Sequence, residues 1–248
     1  MKTAIYKNKI QKNLENNVIK TVLKPDLIVE SGFKKIDELI GGFKAGEITF
    51  IEGDSNLTRE IPNRVCVNTY KTFSEDSVYI DGGMQVDPYK IAKYAKKLEI
   101  NPKEILNHLH ISRAFTVHQM SSLIYDMLEP TLKRYKPRTL VISKYPILYL
   151  DSDVEKKEAQ ILLKNNIAYL KKLTKKYNLI TILTNIDSSF VSNHRKVNYI
   201  IHENADEIIN ITKKKKHIEI NLKKEEIKTE IYNDLKNQMC LSDFGMVA

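Results

Sequence analysis

The segment GDSNLTRE, Gly53 to Glu60, follows the apolar run Glu47–Glu52 and precedes a stretch with helical spacing. A strand, a glycine, a short polar loop and a helix make the setting of a phosphate-binding loop. In the pattern GxxxxGK[ST], glycines let backbone N–H groups wrap a phosphate chain. The lysine reaches the terminal phosphates and the hydroxyl binds Mg²⁺. Here Gly53 holds the first position, and Thr58, Arg59 and Glu60 replace the second glycine, the lysine and the hydroxyl residue. Thr58 is β-branched, and a left-handed conformation there costs about 1–2 kcal/mol. Arg59 keeps the charge with a bulkier geometry. Glu60 is expected to set a carboxylate near the terminal phosphates. Two like charges 4 Å apart repel by about 4 kcal/mol at an effective dielectric of 20, roughly a thousandfold in affinity. Pro62 fits best at a first helical position, which predicts a late helix start, over Ile61–Phe73. None of the eight glycines is followed by lysine, and no GxGxxG occurs. Gly53, Thr58, Arg59 and Glu60 thus read as a vestigial phosphate loop, with no binding of ATP or Mg²⁺ expected.

Other chemistry-bearing residues have simpler readings. His108 and His110 stand at strand spacing, without the cysteine or carboxylate pattern of a metal site. His118 and Gln119 read as the start and cap of a helix, and Ser152 or Asp153 as the cap of the long helix that follows. Cys66 and Cys240 are the two cysteines, with no CxxC, as in a cytoplasmic protein.

The elements that must position these residues alternate. Strands are expected at EITFIE, SVYID, LHISRA, RTLVIS and LITILTN. Helices are expected between them, two with Pro88 and Pro102 in their first turns. The clearest helix, about Val154–Tyr177, repeats Ala159, Leu162, Leu163, Ile167, Leu170 and Leu173 at spacings of three and four. Such alternation predicts an α/β fold with a mainly parallel sheet flanked by helices. Ile209 and Ile211, then Ile218, Ile220 and Leu222, alternate about a lysine-rich turn and predict antiparallel C-terminal hairpin strands. Residues 1–30 read as an arm or short helix, and residues 31–248 as one core domain. The 248 residues carry 40 Lys and Arg against 31 Asp and Glu, a net charge of +9, which suits contact with a polyanion. No apolar run approaches the roughly 20 residues of a membrane span, and the N-terminus lacks a secretory pattern.

Five segments in order resemble the RecA-fold recombinase family, most closely archaeal RadA and its core-only paralogues. They are SGFKKIDELIGGFKAGEITFIEG, VYIDGGMQVDPYKI, HISRAFTVHQM, RTLVIS and LITILTNI, within about residues 31 to 214. The resemblance implies a RecA-like P-loop NTPase fold and an ATP-binding core that assembles on DNA. It also places the Walker B aspartate at Ser143, followed by Lys144, and the catalytic glutamate at Gly83. The family's Thr-Asn-Gln ends here as Thr184-Asn185-Ile186. With Walker A and Walker B both altered, the resemblance implies a pseudo-ATPase rather than an enzyme. Two loops contact DNA in the family. The first falls near Leu150–Lys157. The second follows Asn185 and offers Phe190, Asn193, His194, Arg195, Lys196 and Tyr199, a mixture of cations and aromatics suited to phosphate contact and base stacking. The expected role is an accessory in DNA recombination or repair, binding single-stranded or double-stranded DNA, or a RadA-type recombinase or related paralogue. Two alternatives stand beside it: a RecA/KaiC-type ATPase that binds ATP through an atypical P-loop, and a protein-interaction scaffold without nucleic acid.

Overall fold

A computed structural model describes residues 27–53, 56–185, 194–215 and 217–232. Its centre is an eight-stranded sheet. The strands are β3 (Ile48–Glu52), β4 (Ser77–Asp81), β5 (Leu109–Arg113), β6 (Thr139–Ser143), β7 (Ile180–Asn185), β8 (Glu207–Lys213), β9 (His217–Leu222) and β10 (Ile227–Tyr232). Their spatial order is β10-β9-β8-β3-β7-β6-β4-β5. The six strands from β8 to β5 run parallel, and β9 and β10 are added antiparallel. The expected hairpin is therefore a three-stranded extension. Its first strand, β8, is a parallel partner of β3. A small pair, β1 (Ile28–Val29) and β2 (Phe43–Lys44), lies beside it.

Parallel strands covered on both faces read as continuous apolar runs, and β3, β4, β6 and β7 are buried throughout. Phe50, Ile80 and Ile142 face one core, with Leu163, Ile167 and Leu170 of α7 (Lys156–Tyr177) and Ile201 of α8 (Arg195–Asn204). Ile51, Tyr79, Val141 and Ile182 face the other, with Ile61 and Val65 of α2 (Asn56–Phe73). The remaining α-helices among the described residues are α1 (Lys34–Ile40), α3 (Pro88–Lys97), α4 (Pro102–Asn107), α5 (Val117–Ser122) and α6 (Leu128–Tyr135).

Three local expectations are corrected. First, α2 starts at Asn56, six residues ahead of Pro62, which sits buried inside it. Packing of this buried segment outweighs the lost N–H. Second, α7 starts at Lys156 after Glu155, with no side-chain cap, so neither Ser152 nor Asp153 caps it. Third, the helix after His118 is interrupted by a π-turn, Leu123–Met127, between α5 and α6. Pro130 follows and has no N–H for a bond to Asp126, which accounts for the wider turn. Ahead of it, α5 starts at Val117 and its N-cap is Thr116, not His118 or Gln119: the Thr116 hydroxyl accepts from the Gln119 N–H, and Gln119 Oε1 accepts from the Phe115 N–H.

Candidate functional site

In open α/β sheets, sites form at the carboxyl ends of strands where the strand order reverses. Here that place is the end of β3, which leads to β4 on one side while β7 crosses to β8 on the other. The predicted phosphate-loop residues gather there in new roles. Gly53 has φ +136°, and a Cβ on it would lie 1.9 Å from the Ile211 carbonyl oxygen of β8. Close strand approach therefore requires this glycine. Thr58 is buried in the first turns of α2 and its hydroxyl donates to the Gly53 carbonyl at 3.3 Å. It needs no left-handed backbone, contrary to the sequence-based expectation. Arg59 projects from the same turn and is exposed. Glu60 is paired with Arg64 at 3.2 Å, and Arg64 also donates to the Gly32 carbonyl and lies over the Phe33 ring. The Glu60 carboxylate is thus held by its own helix instead of standing free at the loop.

The ends of β4 and β6 form a clasp. Asp81 is buried and accepts from the N–H groups of Gly83, Gln85 and Val86 and from the Ser143 hydroxyl at 2.7 Å. Lys144 follows in a left-handed conformation, φ 48°. A Cβ on Gly83 would come within 2.2 Å of Lys144 Cδ. The Lys144 stem therefore lies in the space that a side chain at Gly83 would need. The Thr184 hydroxyl accepts from the Lys144 N–H at 3.3 Å. Asn185 is buried opposite Glu52, with its amide nitrogen unpartnered among the described residues. Ile186 lies outside the described residues.

The sequence did not single out Glu52. It is fully buried at the end of β3, where Lys223 donates to its Oε1, Asn210 donates at 3.3 Å, and His202 Nε2 lies 3.5 Å from Oε2. Burial pushes its carboxyl up, but His202 and Lys223 outweigh it, so the pKa lies below the usual value. The one available signal was a carboxylate closing an otherwise apolar run. His108 Nδ1 and His110 Nε2 both meet Asp76, at 2.5 and 2.6 Å. They do share a face, and one carboxylate ties them to the start of β4.

A second region is a crevice of about 970 Å³ between the 3₁₀ turn after β6 and the start of α8. Leu150, Asp151, Glu155 and Lys156 line one side, and His194, Arg195 and Lys196 the other. Residues of the first predicted DNA-contact loop thus share one cavity with His194, Arg195 and Lys196 of the second. Tyr199 is exposed on α8, 63% accessible, but does not line the crevice. Phe190 and Asn193 lie outside the described residues.

This sheet order, mostly parallel, flanked by helices and extended by antiparallel C-terminal strands, is that of a RecA-like α/β core. A family model described as Rad51 matches residues 24–233. The chain belongs to that family of RecA-fold recombinases. Among the described residues, no helix is long and apolar enough to cross a membrane.

Proposed function

We propose that this chain is a non-catalytic Rad51-family paralogue that binds DNA, or binds a recombinase, as an accessory in recombination or repair. The observation that carries this reading is the crevice that joins Lys156 to Arg195 and Lys196. Cations around a cavity of that size suit a strand's phosphates, and Tyr199, exposed on α8 outside the crevice, offers a ring for stacking. The recombinase arm is supported by β5. Among the described residues it is an edge strand, paired with β4 alone, and Ile111 within it and Phe115 just after it are 41% and 60% exposed. Such an edge can accept a partner's strand.

The non-catalytic part is supported by the donor set. Mg²⁺ with ATP needs a metal ligand at the end of β6 and a group to orient water near Gly83. Ser143 is engaged by Asp81, Glu60 by Arg64, and Lys144 covers Gly83. These residues do not fit the group in the family's manner. A second reading, nucleotide binding without turnover, is favoured by Arg59 alone, exposed at the start of α2.

Binding of labelled single-stranded DNA across a salt series tests the first part. Affinity is expected to fall steeply with salt, and Arg195→Ala with Lys196→Ala to weaken it. No binding at low salt, alone or with a recombinase, overturns it. Robust ATP turnover abolished by Arg59→Ala overturns the second part.

A further inference from the structure

We infer that the outward crest of α7 is a second contact track for the nucleic-acid backbone, continuing from the crevice. Lys157, Lys164, Lys172 and Lys175 are all exposed. At 3.6 residues per turn they fall in one stripe, opposite the buried Leu163, Leu170 and Leu173. From Lys157 to Lys175 the stripe runs about 27 Å at 1.5 Å per residue. Between Gln160 and Tyr177 the helix has five lysines and no Asp or Glu.

A merely solvated helix face normally mixes signs, because Glu–Lys pairs at i,i+4 stabilise it and like charges there destabilise it. α7 has the unfavourable arrangement in its last turns, at Lys171–Lys175 and Lys172–Lys176. Two carboxylates pair with lysines of the same helix that lie off the crest. Asp206 meets Lys171 at 3.8 Å, and Glu129 meets Lys176 at 2.7 Å. None of the four crest lysines has an ion pair among the described residues. The helix dipole explains a lysine in the last turn, such as Lys175. It does not explain Lys157 or Lys164. The first turns of α7 line the crevice through Lys156 and Gln160, so the crest begins at Lys157, next to the crevice wall. A polyanion with regularly spaced charges, the phosphate backbone of a strand, is the complementary occupant. The inference rests on the crevice reading for the path of that strand.

The test compares wild type, a crest variant and a crevice variant by fluorescence anisotropy over a salt series. The crest variant changes Lys157, Lys164, Lys172 and Lys175 to Gln. The crevice variant is Arg195→Ala with Lys196→Ala. The probes are single strands of about 6 and about 25 nucleotides, as DNA and as RNA, with polyglutamate as competitor. Removing four phosphate contacts is expected to reduce the log–log salt slope for the long strand by about 3, at about 0.7 per contact, and to weaken low-salt binding at least about tenfold. The short strand changes less than about twofold, and melting temperature is held, since all four positions are exposed. The DNA and RNA arms identify which strand is preferred. A crest variant that binds the long strand with wild-type affinity and slope overturns the track, while loss in the crevice variant leaves the crevice reading standing. Loss in the crest variant alone supports the track and overturns the crevice. Equal competition by polyglutamate overturns nucleic acid as the occupant, and failure of wild type to bind any strand overturns both readings.

Discussion

The Ser143 hydroxyl donates to the Asp81 carboxylate at 2.7 Å, across the buried ends of β6 and β4. The two residues explain each other. Asp81 already orders the turn after β4 by accepting from three backbone N–H groups. A second carboxylate at 143 would meet that buried charge, whereas a hydroxyl completes its hydrogen bonds. The position where the family resemblance implies a metal ligand has become part of a structural clasp.

Ser143→Asp is therefore expected to destabilise the fold rather than rebuild a metal site. An uncompensated buried charge costs about 3–5 kcal/mol. Urea unfolding near neutral pH measures it. A loss under about 1 kcal/mol, or Mg²⁺-dependent recovery of stability, would contradict the clasp.

Gly53 yields a second prediction. Its φ is +136°, and a Cβ there would meet the Ile211 carbonyl oxygen at 1.9 Å, which leaves no room for alanine. Gly53→Ala is expected to lose more than about 3 kcal/mol, in the severe class of backbone substitutions. Gly83→Ala meets only the flexible Lys144 stem and is expected to cost under about 1 kcal/mol. Equal effects at both sites, by chemical unfolding, would refute this reading of Gly53.

Much of this architecture was legible because parallel strands leave a simple mark. ITFIE, TLVIS and ITILTN are apolar on both faces, and α7 repeats its leucines at helical spacing. The helix start at Asn56 was hidden because Pro62 is a local signal and the burial that overrides it is tertiary. β10 was missed because IKTEIY alternates weakly beside its charged turn. The crevice was half legible. Loop positions could be assigned, but not that Lys156 and Arg195 share one cavity. Glu52, Lys223 and His202 are far apart in sequence, and no local pattern joins them.

Acid should reveal another network. Lys176, Tyr177 and Tyr169 all donate to Glu129, and they hold its carboxyl down to about 2, from 4.5. A carboxyl depressed in the folded state adds stability above its unfolded value and loses it as pH falls through the folded one. Glu129→Gln is thus expected to lower the melting temperature at pH 7, with the gap closing between about 4.5 and about 2. A gap that stays constant through that window would show that the network does not carry the effect.

The buried carboxylate at the end of β3 gives the last prediction. Lys223 is the cation bonded to Glu52, and it ties the end of β9 to β3. Lys223→Met leaves Glu52 buried with Asn210 and His202 alone. Removing one partner of a buried pair costs about 3–5 kcal/mol. Since Lys223 is one of the groups that lower the Glu52 pKa, its loss raises that pKa. The penalty should therefore shrink as pH falls and Glu52 becomes neutral. The double variant Glu52→Met, Lys223→Met removes both charges and is expected to recover most of the loss, because replacing a buried pair by apolar groups is often close to neutral. A double-mutant cycle by urea unfolding at two pH values measures the coupling directly. Additive losses at both pH values would mean that the pair does not hold the C-terminal strands to the core.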